Sequence, residues 1–215
     1  MGHDYQSPWF REALKVEDKL EINQLNSKET ADICIVGGGY TGLWTALKIK
    51  EKNASTKITI IEKDLCGSGA SGRNGGCMIP LSSKFTAMKK IVGTKDAIKM
   101  VKASEEALNE INKFCDVNDL DAKIRINGIV YSATNNKHRG GFDDLLRDLN
   151  DNNLNSWERL SKEKIQKLTG SNRNIDGYFS PIGGSLQPAL LARGLKRIAE
   201  KKGIKIFEHS AMSSY

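Results

Sequence analysis

Short apolar runs that end at glycines alternate along this chain with longer stretches whose apolar positions recur at helical spacing. Asp32-Ile-Cys-Ile-Val36 is a β-rich run that stops at Gly37-Gly38-Gly39. From Thr41 a helix is predicted, with Leu43, Ala46 and Leu47 on one face. Lys57 to Glu62 reads Lys-Ile-Thr-Ile-Ile-Glu, the near-continuous apolar pattern of a parallel strand covered on both faces. A glycine-rich loop follows, from Cys66 to Gly76.

Beyond that loop, Thr94 can cap a long helix running to about Asp116, its apolar face formed by Ala97, Val101, Leu108, Ile111 and Cys115. Lys123 to Ile126 and Ile129 to Ala133 flank Asn127-Gly128, which predicts a β-hairpin. Helices are predicted over 142–149 and 161–168, a strand over 177–180 and a turn at Gly183-Gly184. Pro188 opens a further helix, a position where proline is tolerated. Gly203 ends it, and Ile204 to Glu208 forms a strand. The first thirty or so residues are polar apart from Pro8, Trp9 and Phe10, and read as an arm on the surface. The order divides into 1–30 (arm), 31–90 (first part of an α/β nucleotide-binding domain), 91–175 (an inserted helical and β-hairpin segment) and 176–215 (return to the first domain).

Composition changes this picture little. A chain of 215 residues, 39% hydrophobic and 27% charged, can bury a sizeable core. The net charge of +7 comes from scattered lysines, the mark of solvated helix faces rather than of a basic stripe for nucleic acid. Four cysteines without C-x-x-C spacing, after a start that is neither basic nor apolar, favour free thiols and a cytoplasmic location. The longest uncharged apolar run, Ile33 to Leu47, holds adjacent glycines and falls short of a membrane span.

The chemistry concentrates at Gly37-x-Gly39-x-x-Gly42. A glycine turn by itself is weak evidence, but here a strand precedes it, a helix follows, and Glu62 closes the next strand. Gly37 permits the tight turn, Gly39 lets a pyrophosphate approach the backbone, and Gly42 lets the helix pack on the sheet. Tyr40 and Thr41 lie within this fingerprint as further cofactor-binding candidates, and the helix that follows offers free N–H groups to an anion. Glu62, with Lys63 beside it, is placed for a ribose hydroxyl, and its carboxylate disfavours the extra phosphate of NADP. Between NAD and FAD the loop Gly67-Ser-Gly-Ala-Ser-Gly-Arg-Asn-Gly-Gly76 decides for FAD: its backbone can wrap a long cofactor beyond the pyrophosphate. The competing readings are a plain glycine turn, a glycine-serine linker, and an NAD-dependent dehydrogenase in which 69–76 has no task.

With those residues in view, Ala31 to Ala46 and Gly69-Ala-Ser-Gly-Arg-Asn-Gly-Gly76 resemble the D-amino-acid oxidase superfamily of FAD-dependent oxidoreductases, in the branch that contains gamma-glutamylputrescine oxidase. Gly183-Gly-Ser-Leu-Gln-Pro188 and Gly203-Ile-Lys-Ile-Phe-Glu208 are similar to that family's later signature. The resemblance implies a Rossmann-like α/β FAD-binding domain interrupted by a small α+β portion of a substrate domain, incomplete relative to the family: a fragment or a truncated product. It implies that Gly37 to Gly42 hold the pyrophosphate and Glu62 the ribose. Ala70, Ser71, Arg73, Asn74, Gly75 and Gly76 would line the path to the flavin, and the backbone of Met212 would meet the adenine. The implied activity is oxidation of an amine or amino acid, with hydride passing to the flavin and then to oxygen or another acceptor. The alternative is a non-catalytic dinucleotide-binding module that self-associates through exposed sheet edges.

No catalytic residue stands out. His3, His138 and His209 read as solvated or structural. Tyr178 and Gln187 could approach a substrate, but core or surface roles suit them better, and Cys77 reads as a packed thiol rather than a flavin attachment point. No metal-ligand cluster is expected, and no nucleic-acid or membrane partner.

Overall fold

The computed structural model describes residues 7–17 and 22–214. They form two compact units. The first takes the described residues up to Gly76, then Cys115–Lys123, then Leu186 onward; the second takes Cys77–Phe114 and Ile124–Ser185. These divisions differ from the boundaries read in the sequence. The first stretch of the first unit ends at Gly76 rather than near residue 90, a middle stretch returns at Cys115–Lys123, and the last begins at Leu186 rather than at 176.

In the first unit, strands β1 (Ile33–Val36), β2 (Ile58–Ile61) and β8 (Lys205–Phe207) make a parallel sheet in the order β1-β2-β8. Their register pairs Ile33 with Ile58, Val36 with Ile61, and Ile60 with Ile206. The central strand β2 is the near-continuously apolar one, and Ile58, Thr59 and Ile60 are buried. Helix α2 (Tyr40–Lys52) buries Leu43, Ala46 and Leu47. Helix α7 (Pro188–Lys201) is buried over most of its length. The outer edge of β8 is covered by 22–29: Asn23 O accepts from Glu208 N at 2.9 Å, Leu25 N donates to Ser210 Oγ at 2.9 Å, and Glu29 pairs with Lys205. On β1, Val36 is 56% exposed.

Part of the presumed arm is a helix. Residues Pro8–Lys15 form α1, opened by proline and capped by Ser7 Oγ, which accepts from Phe10 N at 3.1 Å. Its lone apolar cluster is the reason: Phe10 (1% exposed) and Ala13 pack with Leu65, Ala189 and Leu190 in one small core.

In the second unit, β4 (Ile129–Ala133), β6 (Asp176–Ser180) and β5 (Glu158–Leu160) form an antiparallel sheet in the order β4-β6-β5. Helices α3 (Phe85–Val92), most of α4 (Thr94–Val117), α5 (Asp143–Asn150) and α6 (Lys162–Thr169) accompany it. Phe85, Val101, Leu149, Trp157 and Tyr178 are members of one buried cluster. The short strands β3 (Cys77–Met78) and β7 (Gly184–Ser185) pair antiparallel, so Gly183-Gly184 leads into a strand rather than only a turn.

The predicted hairpin at Asn127-Gly128 does not form. Gly128 has the positive φ of +88° that such a turn wants. Its two arms nevertheless pair elsewhere: Arg125 bridges Ser185, and Ile129–Ala133 pairs along its length with β6. Gly128 N donates to Gly183 O at 3.1 Å, and a side chain at 128 would meet the Phe179 ring and Ser180 O. The non-local partner places Tyr131 beside Phe142 and Trp157, which a local turn cannot do.

Tyr178 belongs to this packing and not to a substrate site. It is 3% exposed, and its hydroxyl donates to Asp143 Oδ1 at 2.8 Å. Among the described residues no helix is long and apolar enough to cross a membrane.

Burial first, then the hydrogen bond to Asp143, pushes the Tyr178 hydroxyl up to about 12. Because the folded value lies above the unfolded one, its contribution to stability is complete below about pH 10 and is lost as pH rises through the folded value. Spectrophotometric titration of the wild type minus Tyr178→Phe should show one late tyrosinate, and the variant should lose less stability than the wild type over that interval.

Candidate functional site

The bend after β1 is shaped by backbone contacts that only glycine allows. Gly37 has a φ of +106°, and its N–H donates to Ile61 O at 2.8 Å, extending the sheet one residue into the turn. A Cβ on Gly42 would stand 2.1 Å from Gly37 O, so α2 can start this close to the strand only without a side chain there. Gly38 is buried against Cys66, whose Sγ would lie 2.3 Å from a Cβ on that glycine.

Glu62 turns back over this bend. Its Oε2 accepts from Gly38 N at 2.7 Å, and its Oε1 accepts from Asp64 N at 2.9 Å. The Glu62 backbone is held between Phe207 O (2.8 Å from its N) and Ser210 N (2.8 Å from its O). The carboxylate therefore stands beside the glycine turn. Lys63 is exposed.

The loop from Cys66 to Gly76 is ordered by its own polar groups. Residues Ala70–Gly72 make a short 3-10 turn. Ser71 Oγ accepts from Tyr40 N at 2.9 Å, joining this loop to the start of α2. Tyr40 OH donates to Pro188 O at 2.7 Å, and burial raises its pKa, so this phenol is a strut rather than an acid. Asn74 Oδ1 accepts from Gly76 N at 2.8 Å, while its Nδ2 donates to Ser71 O at 2.9 Å and Ala70 O at 3.2 Å. Gly76, with φ +70°, bonds through its O to Leu186 N at 2.9 Å. Ser7 Oγ donates to Gly72 O at 2.6 Å, a contact with no sequence signal. Thr41, Ala70, Arg73 and Gly75 are exposed along this stretch.

Other candidates fall outside this cluster. Met212 is 46% exposed, beyond Ser210. Gln187 is buried as the cap of α7, accepting from Leu190 N at 2.7 Å and donating to Trp9 O at 2.8 Å. His138 lies 3.3 Å from Asn135 Nδ2, and His209 N donates to Asp64 O in a turn at φ +50°. His3 lies outside the described residues. Cys77 is exposed on β3, and no disulfide is formed by the free thiols Cys34, Cys66, Cys77 and Cys115.

The bend fits a dinucleotide. Among the described residues, chain neighbours aside, no heavy atom lies within 4 Å of where a Cβ would stand on Gly37 or Gly69, and at Gly39 Ser71 Oγ lies at 3.0 Å. The cap of α2 is Gly39, which offers the first turn no side-chain acceptor. A glycine bend, a helix start whose cap residue has no side chain and an acidic group beside it define an α/β dinucleotide-binding site, with the Tyr40 N–H of the first turn held by Ser71 Oγ.

The comparisons with known proteins are specific about which one. A model described as FAD dependent oxidoreductase matches residues 32–215, and the chain belongs to that family. It is 28% identical over 193 residues to gamma-glutamylputrescine oxidoreductase of Escherichia coli (strain K12), covering 89% of this chain and 45% of that protein. Two solved structures share the fold. L-amino acid deaminase from Proteus myxofaciens has a TM-score of 0.70 at 20% identity, over 88% of this chain and 40% of that one. L-alpha-glycerophosphate oxidase from Mycoplasma pneumoniae, with FAD bound, has a TM-score of 0.60 at 20% identity, over 87% of this chain and 47% of that one. The chain thus spans under half the length of these proteins. FAD is the cofactor of the family.

Two substitutions test the bend. Gly42→Ala should weaken FAD binding about tenfold or more, ~1.4 kcal/mol, because the methyl displaces α2 from Gly37 O. Glu62→Ala should do likewise by freeing Gly38 N and removing the carboxylate that holds the bend. Quenching of flavin fluorescence on titration measures both, with circular dichroism to check that the fold persists.

Proposed function

We propose that this chain is the part of an amine- or amino-acid-oxidising flavoenzyme that holds the adenine half of FAD and the start of its path to the flavin. In this reading Gly37, Gly39 and Gly42 let the pyrophosphate reach backbone amides at the head of α2. Tyr40 and Thr41 supply the first turn, and Glu62 accepts from the adenosine ribose with Lys63 at its rim. Ala70, Ser71, Arg73, Asn74, Gly75 and Gly76 form the segment that runs toward the isoalloxazine, and the backbone at Met212 lies at the adenine end. The observation that carries the reading is the Glu62 carboxylate on Gly38 N, which puts the acidic group and the glycine bend on one spot.

Bound flavin would supply the acceptor for a hydride from the substrate C–H next to nitrogen. This chain's own share is to bind the cofactor and to fix its direction through the Ser71 and Asn74 bonds. The similarity to gamma-glutamylputrescine oxidoreductase supports an amine carrying a carboxylate as the substrate class, and the likeness to an L-amino acid deaminase is compatible with an amino acid.

A second reading, a dinucleotide-binding module without turnover of its own that associates through its sheet edge, is favoured by the position of β1 at the end of the strand order among the described residues. Purification with FAD separates the two. The enzyme reading expects yellow protein whose visible flavin bands bleach with an amine or amino acid under argon. Protein that binds ADP but stays colourless supports the module instead. The double substitution Arg73→Ala, Asn74→Ala should weaken FAD binding about tenfold while ADP affinity hardly changes. Equal loss for both ligands would contradict the placement of 70–76 toward the flavin.

A further inference from the structure

Both polar backbone atoms of Gly38 are spoken for: Glu62 Oε2 takes its N–H, and its carbonyl accepts from Gly67 N at 3.0 Å. These atoms belong to successive peptide groups, so Glu62 orients the Gly37–Gly38 peptide and Gly67 the Gly38–Gly39 peptide, whose N–H is that of Gly39. The residue before it, Cys66, is fully buried and fills the space a Gly38 side chain would need. Burial first, then the negative charge of Glu208, raises the Cys66 thiol pKa, so this sulfur stays protonated and acts as packing.

Cys66 is itself anchored from β8. Glu208 Oε1 accepts from Cys66 N at 2.6 Å and from Arg193 Nη1 at 2.6 Å, while Arg193 Nη1 also lies 3.4 Å from Cys66 O. Arg193 and Glu208 are each only 1% exposed. The remaining guanidinium nitrogens grip Glu17: Nε on Oε1 at 2.7 Å and Nη2 on Oε2 at 2.8 Å. Glu208 Oε2 is buried without a hydrogen bond, with Lys196 Nζ 3.7 Å away. One carboxylate oxygen thus carries both the arginine and the Cys66 amide, and the second serves only the charge balance.

We propose that Glu208 is a positioning residue for the cofactor: through Cys66 and Gly67 it sets the direction of the Gly38–Gly39 peptide, and so the affinity of the bend for a pyrophosphate. The inference rests on the FAD reading above. Glu17 is the internal control, because it holds the same arginine at similar burial and is not bonded to Cys66. A purely structural role predicts that the two carboxylates behave alike.

The experiment compares ADP with adenosine on the full chain, by calorimetry or competition, for the wild type, Glu208→Ala and Glu17→Ala. In Glu208→Ala, ADP and FAD should bind about tenfold more weakly or worse, with adenosine affinity unchanged. Glu17→Ala should lower the melting temperature and leave the ratio of ADP to adenosine affinity as it was. If Glu208→Ala does not fold, Glu208→Asp, which keeps the charge but withdraws the acceptor, is measured in its place with the same selective loss expected. A ratio that shifts alike in both variants, or in neither, overturns the inference and leaves the FAD reading intact. A wild-type chain that binds neither ADP nor FAD overturns the FAD reading itself.

Discussion

The bond from Gly38 N to the Glu62 carboxylate is the contact on which the site depends. It joins the ends of two neighbouring parallel strands, so the bend cannot change shape without disturbing β2. It also presents a negative group beside a helix start that favours anions. In the proposed reading the two tendencies are compatible because they would serve different parts of one ligand, hydroxyls at the carboxylate and phosphate oxygens at the amides. The glycines matter by what they leave out. At position 42 even a methyl group would occupy the place of the Gly37 carbonyl.

The parts of this arrangement that were legible in the sequence are those built from near neighbours. The strand-glycine-helix-strand unit announces itself because its elements follow directly in the chain, and the twin-faced burial of β2 leaves an unbroken apolar run. The loop from Cys66 to Gly76 was legible in content, though not in detail. That Ser71 would cap Tyr40, or that Asn74 would fold back on Ala70 and Gly76, follows from a turn geometry which composition does not encode. The hairpin reading failed for the opposite reason. Asn127-Gly128 is a strong local signal, and it was overridden by a partner strand some fifty residues away.

Buried charge was the least legible feature. Arg193, Lys196 and Arg197 lie in a helix whose charged positions resemble a solvated face, yet Arg193 and Lys196 are nearly inaccessible. Nothing in their neighbourhood marks this, because Glu17 and Glu208 come from the opposite ends of the chain. Burial works against the Arg193 charge, but Glu17 and Glu208 together hold its pKa above the ordinary range. Removing one partner of such a group costs about 3–5 kcal/mol, since the other is left uncompensated. Such an arrangement ties α7 and the end of β8 to the segment that follows α1.

The two flanks of the parallel sheet are not equivalent. One is sealed, because residues 22–29 run along β8 and occupy its neighbouring polar groups. The other is β1, the last strand of the order among the described residues. The sheet is thus lined along one side only, and the glycine bend follows the strand on the other.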